Sequence, residues 1–277
     1  MLRHIAATHK PFEPNVPHHF AFRGGDDVTY VVSGYLAARA ARDAGIRDFV
    51  LQVMLNTPRP TWGIQDLAKA RALLALVRSL ERPGFRVYLQ PRGGLNYFSR
   101  DEVKAKAQLA AVTALMDDIE PADGTSPQII HVVSWSEAIR LADPDVVDES
   151  IRITRKALEE YRRLRRKGEV DDMSAHAETL SRTAALLKDA KATIAAIESA
   201  IPDPYSPEGF YRALAAGFLL APDLAALREE FAEATRWRTR LIDGSVRAVD
   251  AEGKPVGAAD RLPFAAEAAR KAGGPKA

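Results

Sequence analysis

The chain has 277 residues, no cysteine, 39 Lys and Arg against 37 Asp and Glu, and 47% hydrophobic residues. That length can bury a sizeable core, and the mix of apolar and charged residues excludes a largely disordered chain. The missing thiols exclude a disulfide scaffold, an iron–sulfur cluster, a thiolate zinc site and cysteine catalysis, and the formal charge of +2 is too even to argue for nucleic acid.

No uncharged apolar run approaches the roughly 18 residues of a membrane span, and the first residues hold no signal-peptide core. The expected home is therefore the cytoplasm. A stretch near His19 to Arg23 is a possible strand. Asp27 to Ala44 reads as a helix, which Gly45 ends before the chain turns into a strand. Phe49 to Leu55, Phe85 to Leu89 and Ile129 to Val133 are short, β-branched-rich runs of the kind that forms buried strands. Behind the first, Ile64, Leu67, Leu74 and Val77 recur at helical spacing. Val103, Ala107, Ala110 and Ala114 do so behind the second, and Val147, Ile151, Leu158 and Tyr161 behind the third. Alternating strands and helices predict a parallel sheet with right-handed crossovers.

After Gly168 the pattern becomes helical. Met173 to Ala200 reads as one long helix, and Ser206-Pro207-Glu208 starts another that runs to about Gly217. A third is expected over Pro222 to Thr235. Thr239 to Asp250 alternates around Asp243-Gly244, a hairpin signal, and the last dozen residues read as a frayed tail. The expected parts are residues 1–168, a partial β/α barrel; 169–236, a helical segment; and 237–277, a small hairpin with a tail. Three confident strands fall short of the eight that close a β/α barrel, so the chain reads as a half-barrel completed by another chain, or as a truncated frame.

In parallel β/α arrays reactive groups gather where strands end. That rule nominates Asn56, Thr57 and Arg59 after the first strand. It nominates Gln90, Arg92, Gly93-Gly94, Asn96, Tyr97 and Phe98 after the second, and Ser134 to Glu137 after the third. Arg59 and Arg92 carry the planar fork that grips a carboxylate, or else form ordinary ion pairs. Scattered histidines make a metal site unlikely to be built here, and His131, in mid-strand, reads as a satisfied core residue. The basic run Arg162 to Lys167 closes a helix and reads as its solvated C-terminal face.

Several short motifs, in order, resemble the catalytic (E) chain of adenosylcobalamin-dependent glutamate mutase (methylaspartate mutase), specifically its C-terminal half. Lys10-Pro11-Phe12-Glu13-Pro14 is similar to a family E-P-F-G-P stretch, and Ala44 to Asp48 precedes a strand as it does there. Ile64-Gln65-Asp66-Leu67-Ala68 opens the next helix. Phe98 followed by Arg100-Asp101-Glu102 resembles the family's F-P-Q-D-E. Ser136-Glu137-Ala138-Ile139, Asp148-Glu149-Ser150, Asp243 to Arg247 and Leu262-Pro263-Phe264 follow in order.

The resemblance implies the later strand–helix units of a TIM-like barrel. It also implies adenosylcobalamin held against a small cobalamin-binding subunit, and radical interconversion of glutamate and 3-methylaspartate. The missing strands would come from an N-terminal half-barrel chain or a homodimer. Glu137 then matches the glutamate that binds the adenosyl ribose, Phe98 an aromatic against the corrin, and Leu141 an aliphatic contact near the adenosine. Arg92 and Arg59 are the candidates for an amino-acid substrate, and no catalytic residue is nominated. The chain departs from the family at Val133, where a lysine stands there, and at Arg92, the nearest match to a histidine. The alternatives are a non-catalytic half-barrel with an assembly or regulatory role, and a related cobalamin-dependent aminomutase-type barrel.

Overall fold

In a computed structural model, which describes residues 1–94, 96–224 and 229–273, the chain is mixed α/β. Its elements are α1 (Leu2–Thr8), α2 (Val16–Ala21), α3 (Asp27–Asp43), β1 (Asp48–Leu55), α4 (Gly63–Arg78), β2 (Arg86–Gly93), α5 (Glu102–Asp117) and α6 (Pro144–Lys167). Then come α7 (Ala177–Ala200), α8 (Pro207–Ala215), β3 (Arg238–Ile242), β4 (Ser245–Val249) and α9 (Ala258–Gly273). β1 pairs with β2, and β3 pairs with β4. Two compact units form, Met1–Phe49 with Ala72–Val87 and Ala184–Ala277, and Val50–Arg71 with Tyr88–Thr183.

In the first unit, side chains rather than hydrophobicity alone set the helix ends. Asp26 caps α3 by accepting the Thr29 N–H at 2.9 Å, and Gly45, at φ +90°, carries the chain out of it. Ser206 caps α8 by accepting the Gly209 N–H, with Pro207 in the first turn. The β3–β4 hairpin turns at Asp243 and Gly244, both with positive φ, as a two-residue primed turn requires. It is fastened to α3, because the Asp27 carboxylate accepts the Val246 N–H at 3.1 Å. Asp26 binds Arg261 of α9 at 2.7 Å, both buried. Phe12 forms a parallel bridge to Phe49, but Pro11 and Pro14 beside it lack the N–H groups that would extend a ladder.

Three expectations fail in this unit, and a fourth concerns α7, which begins in the second unit. The segment near His19 is helix and turn, not strand. Proline at the second position of α2 supplies the fixed φ of a first helical turn. The long helix expected from Met173 begins only at Ala177. The helix expected over Pro222 to Thr235 falls partly on residues 225–228, outside the described residues; 222–223 and 229–235 are turns. Residues of the expected tail up to Gly273 belong to α9, because Ala258, Arg261, Ala265 and Ala269 recur as one buried helical stripe.

In the second unit β1 and β2 end together. At the strand starts, which belong to the first unit, the Arg86 N–H donates to the Arg47 carbonyl, and within the second unit Gln52 meets Gln90, so the two run parallel. The third expected strand is reduced to one parallel bridge, Arg92 to His131. Ile129 and His131 donate to the carbonyls of Leu89 and Pro91, but Pro91 has no N–H to return, so the ladder stops.

α5 packs against α6 around Phe98, Ala105, Leu109, Val133, Trp135 and Val146. The buried faces of these helices are not the expected ones: Val103 is 78% exposed, while Leu109, Val112 and Met116 are buried. On α6 the buried positions are Val146, Ser150 and Thr154, in place of Val147 and its series. The basic end of α6 is only partly solvated. Arg162 reaches Asp117 at 2.6 Å, and Arg165 reaches Asp117 and Asp118 at 2.8 and 2.7 Å, where both carboxylates are buried.

Candidate functional site

The second unit gathers its polar strand ends into a cleft of about 500 Å³, lined by Arg92, His131 and the run from Val132 to Ala142. β2 delivers Arg92, and the bridged segment delivers His131 directly beside it. The chain then turns tightly. Ser134 and Ser136 hydroxyls lie 3.0 Å apart, Ser136 Oγ donates to the Arg140 carbonyl, and the N–H groups of Ile139 and Arg140 return to the Ser136 carbonyl. Arg140 is held outward by Asp143 at 2.7 Å. Below the turn, Trp135 is anchored by its Nε1–H to Glu149 at 3.0 Å, with the Lys106 ammonium 4.6 Å from its ring centroid.

Glu137 stands on the cleft wall. Removal from water pushes its carboxyl up from the ordinary value, and the Arg92 guanidinium pulls it back down. One positive and one negative group in one cleft suit a ligand that has both a negatively charged group and hydroxyl or ammonium donors.

The chain leaves β1 through a buried turn. Asn56, at φ +56°, donates its N–H to Asp66 Oδ2 at 2.6 Å. Lys69 Nζ binds Asp66 Oδ1 at 3.2 Å and the Thr57 carbonyl at 3.1 Å, with Lys69 and Asp66 both buried. A helix that spends a lysine and an aspartate on its covered face stabilises that turn against the desolvation of both charges. Gly94 at the end of β2 fits so closely against this turn that an added Cβ would sit 2.7 Å from the Asn56 carbonyl oxygen.

Of the nominated residues, Arg92, Glu137 and Leu141 share the cleft; Leu141 is 95% exposed on its rim. Phe98 is 4% exposed in the core cluster, its edge against Tyr97. Arg59 lies apart, in a second cleft of about 470 Å³ with Ser99, Lys104 and Gln108. Tyr97 nearby has its hydroxyl pushed up by burial, with Arg59 opposing. Glu137 and Ser134 have the acceptor and donor chemistry for a ribose. Phe98, enclosed by its neighbours, offers no open ring face to a corrin.

Sequence reasoning passed over Gln52 and read His131 as a satisfied core residue, whereas it lines the cleft. Gln52 is 1% exposed, its Nε2 donates to Gln90 Oε1 at 2.7 Å, and it stands 3.4 Å from His131 Nδ1. The signal was present: Gln52 and His131 each stand in the middle of an apolar run, and Gln90 directly follows the run Phe85 to Leu89. Among the described residues, no three His, Cys, Asp or Glu converge as a metal site, and no helix is long and apolar enough to cross a membrane. No family model matches this chain, and no curated protein matches it significantly.

Proposed function

We propose that this chain is a subunit of a cytoplasmic, cobalamin-dependent carbon-skeleton mutase of the glutamate/3-methylaspartate type. It would supply the later strand–helix units of a β/α barrel and work with a small cobalamin-binding subunit and an N-terminal half-barrel chain or a second copy. The observation that carries the reading is a strand-end cleft beside an unfinished sheet. Beyond β2 the array stops at the segment around His131, which joins β2 through a single parallel bridge, Arg92 to His131. A parallel pair whose next member is only a bridged segment beside a polar cleft is what a barrel interrupted between strands would present.

In this reading Glu137 accepts hydrogen bonds from the hydroxyls of the adenosyl ribose, with Leu141 against the adenosine. Arg92 holds a carboxylate of a small amino-acid substrate; Arg59, the other candidate for the substrate, lines a separate cleft. When bound, adenosylcobalamin supplies the carbon-centred radical; this chain's part is to orient and to shield. Since Phe98 is enclosed, the corrin contact falls to the partner subunit.

The test is an adenosylcobalamin titration of the purified chain together with the products of its neighbouring genes, read by the cofactor's visible spectrum. A saturable change that weakens in Glu137→Gln supports the reading, and an unchanged spectrum refutes it. A second reading, a half-barrel without chemistry that serves assembly, draws on the enclosed Phe98 and on Val133 in the place of a lysine. A mutase assay of the same mixture separates them, because turnover lost on Glu137→Gln excludes an inert scaffold.

A further inference from the structure

Gln52, Gln90 and His131 stand side by side on β1, β2 and the bridged segment, in the part of a parallel sheet where apolar side chains are the rule. Gln52 and Gln90 are 1% and 8% exposed. A buried amide is costly unless it is hydrogen-bonded, and Gln52 and Gln90 meet that demand by facing one another.

The row has a direction. Gln52 Nε2 carries only protons: it donates one to Gln90 Oε1 at 2.7 Å and turns toward His131 Nδ1 at 3.4 Å. With the Gln52 amide nitrogen as donor, His131 Nδ1 is the accepting nitrogen, which in a neutral ring leaves the proton on Nε2. The ring lines the cleft with Arg92, its neighbour across the parallel bridge.

We propose that Gln52 is a positioning residue that fixes His131 as an Nε2–H donor, and that Arg92 and His131 together form an oxyanion subsite in the cleft. The group they take is a carboxylate or a phosphate: a planar guanidinium and one imidazole N–H present several donors and, in this tautomer, no acceptor on the ligand's side. Glu137 across the cleft repels a second anion, so the subsite takes an anionic end of a ligand whose other end carries hydroxyl or ammonium donors. This rests on the cleft being the ligand site and needs neither the cofactor nor a partner chain.

The experiment is long-range proton–nitrogen NMR of the histidine side chains in the ¹⁵N-labelled full chain, with the His131 signals assigned by their loss in His131→Gln. The expected result is the Nε2–H tautomer in the wild type and a switch to Nδ1 protonation in Gln52→Glu, whose carboxylate accepts where the amide donated. Titration with inorganic phosphate and, separately, with acetate should shift the His131 signals saturably with at least one of them, the tighter anion identifying the group. Binding should weaken about ten-fold in Arg92→Gln, the loss of one charge-assisted pair. An Nδ1–H tautomer in the wild type, an unmoved His131 in both titrations, or equal affinity in Arg92→Gln would each overturn the proposal. If Gln52→Glu fails to fold, the wild-type tautomer and the Arg92→Gln titration still decide it. A failed adenosylcobalamin titration leaves all these readouts intact.

Discussion

Replacing Gly94 with alanine tests whether the ends of β1 and β2 are as closely fitted as the cleft requires. The new Cβ would lie 2.7 Å from the Asn56 carbonyl oxygen and 2.8 Å from that of Leu55, with the Thr57 hydroxyl also in the way. Ordinary contact begins near 3.4 Å, so two backbone oxygens must each retreat by more than half an ångström. They cannot do so separately, because the Asn56 N–H is tied to Asp66 and the Thr57 carbonyl to Lys69. Overpacking against fixed backbone lies at the upper end of its usual range, about 3 kcal/mol. For a chain of this size that is a drop in Tm of about 6–12 °C. The comparison is Gly124→Ala, where nothing lies within 4 Å and φ is not positive; it should change stability by less than about 0.5 kcal/mol. The assay is thermal unfolding by circular dichroism, with urea midpoints as the second measure. If Gly94→Ala melts together with Gly124→Ala, the close fit of the strand ends is wrong.

Asp26→Ala removes both a helix cap and one half of a buried ion pair. Stranding Arg261 should destabilise by about 3–5 kcal/mol in urea, with much of that recovered when Arg261→Met is added. Trp135→Ala empties a fully covered site and should cost about 3–5 kcal/mol, whereas Trp135→Phe should cost much less, losing little beyond the bond to Glu149. Arg92→Gln should raise the Glu137 carboxyl further, read by ¹³C NMR across a pH series, because burial already lifts it and Arg92 opposes the lift. A carboxyl raised by folding adds stability below its folded pKa that is lost as pH rises through it. That acid-side gain should therefore extend to higher pH in Arg92→Gln, and an unmoved Glu137 would break the assigned pairing.

Elements with local signals could be read in the sequence. Ser206-Pro207 begins α8, and Asp243-Gly244 turns the hairpin, because a cap or a primed turn is decided within four residues. The faces of α5 and α6 were off by one or two positions for a physical reason: a stripe of alanines such as Ala107 and Ala110 specifies direction weakly, and the bulk of Leu109 and Met116 decides what turns inward. The third strand could not be judged from its own residues. Ile129 to Val133 has the composition of a strand, but its pairing depends on a donor that Pro91, 38 residues earlier at the nearest point, does not have.

The site was half legible for the same reason. The rule that chemistry collects after strand ends found Arg92, Ser134, Ser136 and Glu137, and one cleft holds all four. It also drew in Arg59, because sequence order says which strand a loop follows but not which way the loop leans. Gln52 was overlooked and His131 was read as core because each, taken alone, is an ordinary polar residue in an apolar run. Only register turns them into a row: residues 38 and 79 positions apart along the chain come within hydrogen-bond reach of Gln52. Polar side chains at matching depth in consecutive strand runs therefore deserve as much weight as those at the strand ends. In this fold they are the groups able to fix which nitrogen of a cleft histidine carries the proton.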